Sequence, residues 1–308
     1  MVFVPGISQR KRNLERRKGG GGGGRGGGGG SSGGRGGSSG SGGSSGGSLG
    51  AGRTSPISSG GTSRTSSSTS AGGGPRTTIP QGQLFAGRSQ GGGTRDQVYG
   101  NRAYGSGYPG SSAVGVGGLG FPFFYWPVIF GSTAIIGTGS YLHTHGEYGD
   151  VNNSSRPGGA LMTATFPSNA NGNTTFRIMA DNSTVTSLTA DILSSCGSSI
   201  SNSTSHASTP YNETGPPIPA QAIQYYRASS IVLSLDSYNN TAVYSNDTNA
   251  PPSPLPNNID TTLLRCLNST IGISAPLVDG ALDLRWSSPS GIGLFAIVWV
   301  VSRLMFQV

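Results

Sequence analysis

Apolar residues in the second half of the chain recur at intervals that predict two helices. The first helix is expected in "STVTSLTADILSSC", where the apolar residues recur every three or four positions: Val185, Leu188, Ile192 and Cys196. The second is expected in "IDTTLLRCLNS", with a similar stripe: Ile259, Leu263, Cys266 and Thr270. Each stripe predicts a helix that packs one face against a core.

The segments around these helices predict strands. "ALMTATF" (160–166) and "TTFRIMA" (174–180) flank the turn-rich "PSNANGN" and predict a hairpin. "SSIVLSLDSY" and "TAVYS" meet at Asn239 and Asn240, which predicts a second hairpin. The resulting order is strand, strand, helix, strand, strand, helix. Residues 141–290 are therefore expected to form a small α+β domain with a polar loop from Gly197 to Ile218.

A hydrophobic segment precedes this domain. Residues 103–140 contain no charged side chain, and the most apolar window, 119–136, is close to the length that a helix needs to cross roughly 30 Å of hydrocarbon. Pro122 and Pro127 weaken a helix there. The window is interpreted as a membrane span with an aromatic belt near its start. The alternative, if a signal peptide precedes the chain, is an aromatic-rich segment packed against the domain.

A second apolar segment closes the sequence at residues 291–308. Its uninterrupted apolar run, Leu294 to Val301, is short, and Arg303 follows it. Two interpretations stay open, a short return span and the tail of a lipid-anchor signal.

The first 102 residues predict disorder. Gly and Ser dominate from Gly19 to Ser70, with too little apolar surface to offset the entropy of ordering the chain. This region carries fourteen Lys or Arg residues against Glu15 and Asp96, a net charge of +12, whereas 103–308 carries a net −4. Such a basic arm is suited to anionic partners. With the arm inside the cell, the cytosolic leaflet is the expected partner; outside, it is anionic cell-wall polymer or phospholipid.

The region after residue 150 is rich in N-x-[ST] sequons, the acceptors of N-linked glycans. There are nine: Asn152, Asn153, Asn173, Asn182, Asn202, Asn212, Asn239, Asn246 and Asn268. The alternative is that these asparagines are polar loop residues that carry no glycan. Cys196 and Cys266, the only two cysteines, lie in the same region, one in each predicted helix. They predict one disulfide between the helices, with two buried free thiols as the alternative.

No pattern predicts catalysis, a cofactor or a metal. "HTHGE" groups His143, His145 and Glu147, but the one further histidine, His206, falls in a predicted loop. Arg-Gly-Gly at Arg25 and Arg35 raises RNA association as an alternative class of function. The chain is otherwise expected to be non-enzymatic.

Several segments in order resemble an uncharacterised family of Gly/Ser-rich, membrane-associated or secreted glycoproteins from mushroom-forming fungi. They are "LFAGRSQGGGTRDQVYGNRAYGSGYPG", "GFPFFYWPVIFG", "YGDVNNSSRPGG", "TTFRIMADNSTVTSL", "IQYYRASSIVLSLDSYNNTAVYS" and "IDTTLLRCLNSTIG". The resemblance covers roughly 79–293 and implies an extracytoplasmic, surface-associated protein without an assigned activity. The expected protein is thus a membrane-bound surface or secretory-pathway glycoprotein with residues 141–290 lumenal or extracellular; its oligomeric state is left open.

Overall fold

The computed structural model describes residues 52–109, 116–131, 148–245, 247 and 250–279 of the 308-residue chain. Together they form an α+β domain with one continuous hydrophobic core. Its strands are β1 Thr54–Ser59, β2 Thr62–Ser67, β3 Thr77–Thr78, β4 Ser89–Gln90, β5 Leu161–Pro167, β6 Thr175–Asp181, β7 Thr209–Pro210, β8 Ala222–Tyr226, β9 Ile231–Leu235 and β10 Leu277–Val278. Its two α-helices are α1 Asn182–Cys196 and α2 Thr261–Ser274.

The main sheet is antiparallel, with five strands in the order β7-β5-β6-β9-β8. The predicted hairpin of β5 and β6 is confirmed, in register from Leu161 opposite Asp181 to Pro167 opposite Thr175. Every residue of β9, an inner strand between β6 and β8, is buried, as expected for a strand covered on both faces.

Both predicted helices are confirmed, and they pack against each other. In α1, the whole predicted stripe is buried: Val185, Leu188, Ile192 and Cys196. In α2 the buried face is Leu263, Leu267, Thr270 and Ile271, whereas Ile259 and Cys266 are only half-buried. The helical period thus identified both helices. In α2 the predicted positions Leu263 and Thr270 are buried, whereas Leu267 takes the buried position that was predicted for Cys266.

The predicted second hairpin is wrong in its partner. β9 pairs with β8, which precedes it, through the turn Arg227–Ser230. "TAVYS" forms a 3-10 helix at Thr241–Tyr244 instead of a strand. Asn239 and Asn240 looked like turn residues, whereas the real turn contains neither Gly nor Asn and gave no sequence signal.

The prediction of disorder over residues 1–102 is corrected from residue 52 onward. β1 and β2 form a hairpin whose turn residues, Gly60 and Gly61, have φ of +58° and +76°. A Gly-Gly pair between two strands is a standard two-residue hairpin turn, and its signal was hidden by the surrounding Gly/Ser-rich sequence. β2 also pairs with β10, so this arm segment joins the three-stranded sheet β1-β2-β10. Residues 1–51 lie outside the described residues.

The predicted membrane helix is also corrected where the structure describes it. Residues 119–131 contain no helix: Phe124 donates its N–H to the carbonyl of Phe121 across a turn, and the aromatic run from Phe123 to Trp126 is buried in the core. Their backbone bonds to neighbouring segments: Phe121 donates its N–H to Ser89, and Val128 donates to Ser229. Pro122 and Pro127 lack a backbone N–H, so a helix here would lose hydrogen bonds. A non-helical chain whose backbone groups bond to other segments is therefore favoured. Within the described ranges no helix has the length and apolarity that a bilayer crossing needs.

The folded domain therefore begins well before the predicted boundary at residue 141, since Ile57, Val98 and Phe130 belong to its core. Other expectations concern residues outside those described: positions 132–136 of the predicted span, the C-terminal segment 291–308, the "HTHGE" group and Asn246.

Asp260 is the N-cap of α2, and its carboxylate makes the stability of the domain depend on pH. Its Oδ1 accepts the N–H groups of Thr262 and Leu263, each at 2.9 Å, and its Oδ2 accepts the hydroxyl of Ser168 at 2.7 Å. Burial alone would raise the pKa of Asp260, but these hydrogen bonds outweigh it and lower the pKa below 3.8. The carboxylate thus stabilises the fold above the unfolded-state pKa, and this stabilisation is lost as the pH falls through the folded-state pKa.

We expect Asp260→Ala to lower the free energy of unfolding by about 1 kcal/mol at neutral pH, as for other lost helix caps. Urea titrations would measure it. Asp260→Asn is the matched control, because asparagine caps a helix without titrating. Between about pH 5 and pH 3 the wild type should lose stability relative to Asp260→Asn. Parallel pH profiles for the two proteins would contradict the proposed origin of the pKa shift.

Candidate functional site: a left-handed turn around a buried arginine

The turn between β8 and β9 has an unusual backbone. Arg227, Ala228 and Ser229 have φ values of +50°, +49° and +63°, in the left-handed region that glycine normally occupies. Ser230 donates its N–H to the carbonyl of Arg227 at 3.1 Å and closes the turn. A left-handed conformation costs a non-glycine residue about 1–2 kcal/mol. Three in succession make this turn the most strained described part of the backbone.

Arg227 is fully buried and collects contacts from four parts of the chain. Its Nη2 donates to Asp181 Oδ2 at 2.7 Å, its Nη1 donates to the carbonyl of Pro276 at 2.8 Å, and its Nε donates to Ser230 Oγ at 2.7 Å. The guanidinium also lies 3.4 Å from the centre of the Tyr125 ring. Burial raises the pKa of Tyr125 to about 12, so the ring faces the cation as a neutral phenol.

Asp181 uses both carboxylate oxygens. Oδ2 accepts from Arg227, while Oδ1 accepts the N–H of Thr184 at 3.0 Å and the hydroxyl of Ser183 at 2.9 Å. Asp181 is therefore the N-cap of α1 as well as the counter-ion of the buried arginine. One carboxylate fixes the start of α1 to the turn beyond β8.

Neighbouring segments hold the turn's backbone in place. Val128 donates its N–H to the carbonyl of Ser229 at 2.8 Å, and Gly105 donates its N–H to the Ser229 hydroxyl at 2.8 Å. Arg227 donates its own N–H to the carbonyl of Val98 at 2.7 Å. All four turn residues are buried. The surrounding structure thus determines a conformation that these residues would not adopt alone.

Two more arginines bind backbone carbonyls. Arg156 is buried and donates to the carbonyls of Tyr148, Trp126 and Pro127. Arg95 donates to carbonyls of Ser68, Ser70, Gly272 and Ala275, which join the β2 end to the last turn of α2. Burial lowers the pKa of each arginine to about 10. Both fix irregular segments whose carbonyls would otherwise lack partners.

The predicted disulfide between Cys196 and Cys266 is present, and its Cα atoms are 5.9 Å apart. It joins the end of α1 to the middle of α2, as the two helical stripes suggested.

The sequon asparagines are spread over the surface of the domain. Six are exposed: Asn152, Asn173, Asn182, Asn202, Asn212 and Asn239. Asn153 and Asn268 are half-buried. Asn268 lies on α2 and its side-chain oxygen accepts the hydroxyl of Tyr226 at 2.7 Å, while its carbonyl faces Tyr99. Of the eight described sequon asparagines, six are therefore exposed and two are half-buried, and Asn268 is held in a packed surface by Tyr226.

A polar cleft of about 400 Å³ lies beside the start of α1. Its lining is Arg53, Thr54, Ser55, Gly158, Asn182, Ser183, Thr186 and Ser187. Arg53 is paired with Asp191, and Asp181 already caps the helix. No aromatic or large aliphatic side chain lines the cleft, so it lacks the side chains that usually hold a small-molecule ligand.

His206 is the one histidine among the described residues. His206 Nδ1 lies 2.8 Å from the carbonyl of Thr165, and its ring stacks on Phe166. In the part of the chain that the structure describes, no three His, Cys, Asp or Glu side chains group as a metal site would need.

Comparison with known protein families, with characterised proteins and with solved structures finds no match to this chain. The buried turn was also missed by sequence reasoning. Arg227 and Asp181 are 46 residues apart, and only the fold brings them together. The single local clue, a Ser-Ser pair directly before an apolar strand, is too common to predict a site.

Proposed function

We propose that the chain is a non-enzymatic glycoprotein of the secretory pathway or cell surface, whose folded domain lies on the lumenal or extracellular side. The observation that carries the proposal is the disulfide between Cys196 and Cys266 within a domain that exposes six sequon asparagines. Disulfides persist in oxidising compartments, which are also where N-glycans are added. The two features rest on different residues and favour the same compartment.

The fungal resemblance and the charge of the arm support the same proposal and add partners. The arm, net +12 over residues 1–102, is suited to anionic lipid or anionic wall polymer. Membrane attachment, in this proposal, is assigned to the apolar segment 291–308, since the aromatic segment packs within the domain. RNA association through Arg25 and Arg35 is the competing outcome for the arm.

Glycan mapping of the full chain from its native cells tests this proposal. We expect N-glycans on the exposed asparagines and none on Asn268, because its side chain is half-buried and fixed by the Tyr226 hydroxyl, so that a glycan on its side-chain nitrogen would enter a packed surface. Peptide mass spectrometry before and after glycosidase treatment measures the occupancy. Asn182 is the matched control, since it also lies on a helix but is exposed.

An unglycosylated protein with both cysteines reduced in cells would contradict the proposed compartment. Protease treatment of sealed membrane vesicles then locates the arm. A digested arm beside a protected domain places the arm in the cytosol, and a protected arm places the whole chain inside. Salt-sensitive RNA retention that requires Arg25 and Arg35 would favour the competing class.

A further inference from the structure

The turn Arg227–Ser230 contrasts with the two-residue turn between β1 and β2. Gly60 and Gly61 supply the two left-handed positions between β1 and β2. Between β8 and β9 the corresponding positions are Ala228 and Ser229, which pay a steric cost that glycine avoids. Strain of this kind persists where the surroundings enforce it, and it lowers the barrier to any reaction that releases it. Breaking the backbone within the turn would release it.

The surroundings of the Ser229 carbonyl favour addition of a nucleophile. Its oxygen accepts the N–H of Val128 at 2.8 Å in a buried environment. Addition of a nucleophile to this carbonyl places negative charge on that oxygen. A preformed donor in a water-poor site stabilises such a charge more than it stabilises the neutral amide.

The hydroxyl of Ser230 is the adjacent nucleophile. The guanidinium of Arg227 donates to this oxygen at 2.7 Å, and the Ser230 hydroxyl donates to the carbonyl of Arg227 at 2.8 Å. A fixed positive charge beside the oxygen favours the alkoxide character that attack requires. Because Ser230 directly follows Ser229 in the chain, attack of its Oγ on the Ser229 carbonyl carbon would close a five-membered ring.

We propose that the chain cleaves its own peptide bond between Ser229 and Ser230. Ser230 Oγ bonds to the carbonyl carbon of Ser229, the bond from that carbon to the Ser230 nitrogen breaks, and the hydroxyl proton passes to this nitrogen. The result is an ester with a free amine. Once the rearrangement has relaxed the turn and opened it to solvent, water adds to the ester carbonyl, which leaves a carboxylate on Ser229 and restores the Ser230 hydroxyl. No oxidant, metal or cofactor takes part.

The two products stay together. β8 ends before the cleaved bond and β9 begins after it, so both strands keep their places in the sheet. The disulfide between Cys196 and Cys266 also spans the break. Cleavage therefore relaxes the turn and yields a two-chain domain. This self-processing is separate from the proposed compartment, because it requires no glycan.

The test follows purified full-length chain over time with protease inhibitors present. Reducing gels and mass spectrometry should show fragments 1–229 and 230–308, with Ser229 as a free C-terminus and Ser230 as a free N-terminus. Non-reducing gels should show one linked species. Hydroxylamine attacks esters, so it should speed cleavage and leave a hydroxamate on Ser229.

Paired serine variants identify the nucleophile. Ser230→Ala should abolish the fragments, whereas Ser229→Ala should keep them, since the Ser229 hydroxyl takes no part. Ser234→Ala, a buried serine of β9 outside the turn, is the matched control and should cleave like the wild type. Ser229→Gly keeps the nucleophile and relieves the strain at φ +63°, so it should fold and cleave about tenfold more slowly.

A wild-type chain that stays whole in hydroxylamine would overturn the proposal. So would fragments that persist in Ser230→Ala, or a break between Ala228 and Ser229. If Ser230→Ala does not fold, an unchanged cleavage rate in Ser229→Gly would still overturn the role of strain.

Discussion

Arg227→Met should lower the free energy of unfolding by about 3–5 kcal/mol, the usual cost of removing one partner of a buried ion pair. Asp181 is almost fully buried, so without Arg227 its charge would lose its main partner inside the core. The carbonyl of Pro276 would lose its donor as well. Urea or thermal unfolding followed by circular dichroism measures the change.

A double variant separates the charge from the packing. Arg227→Met with Asp181→Asn removes both charges, and asparagine still caps α1. We expect the pair to be less destabilised than Arg227→Met alone, because no buried carboxylate is left unpaired. If the double variant lost as much stability as Arg227→Met and Asp181→Asn lose separately when summed, the two side chains would act independently.

The bidentate pair of Arg177 and Asp236 is the matched control. Its bonds, 2.7 and 2.8 Å long, are as short as the buried pair's, but both side chains are about a quarter exposed. Solvent screens such a pair, so Arg177→Met should cost about 1 kcal/mol or less. Equal losses at the two sites would contradict the view that burial, rather than contact geometry, makes Arg227 critical.

Local sequence signals were sufficient for part of this fold. The helical stripes predicted α1 and α2, and "PSNANGN" predicted the hairpin of β5 and β6, because a period or a turn residue reports on neighbours in the chain. The disulfide was the favoured of two alternatives, since two cysteines on two stripes allow one pairing or two buried free thiols. Each of these predictions depended on residues close together in sequence, or on the only two cysteines of the chain.

The rest depended on contacts that no local signal encodes. The window 119–136 had the apolarity of a membrane helix, but its backbone partners, such as Ser89 and Ser229, lie far from it in sequence. The strand β1 looked like part of a disordered tract, and its pairing with β2 depends on a sheet that β10 completes. The β8–β9 turn carried no turn residue, because Arg227 and its contacts enforce a conformation that glycine would adopt freely.

Removing the disulfide should be the second large loss. The bond closes a loop with a sequence separation of 70. The loss of chain entropy in the unfolded state predicts a stabilisation of about 4 kcal/mol for a loop of this size. Cys196→Ala with Cys266→Ala should therefore unfold at a much lower urea concentration than the oxidised wild type. Reduced and alkylated wild type should behave like the double variant.

Leu193→Ala is the control for the disulfide variant. Leu193 lies on α1 near Cys196 but is partly exposed, so its truncation should change stability by about 0.5 kcal/mol or less.

The effect of the disulfide also distinguishes compartments: the oxidised domain should resist unfolding in the secretory pathway, and a chain kept reduced in the cytosol should not. A double variant as stable as the oxidised protein would mean that the packing of α1 on α2 holds the helices together without the bond.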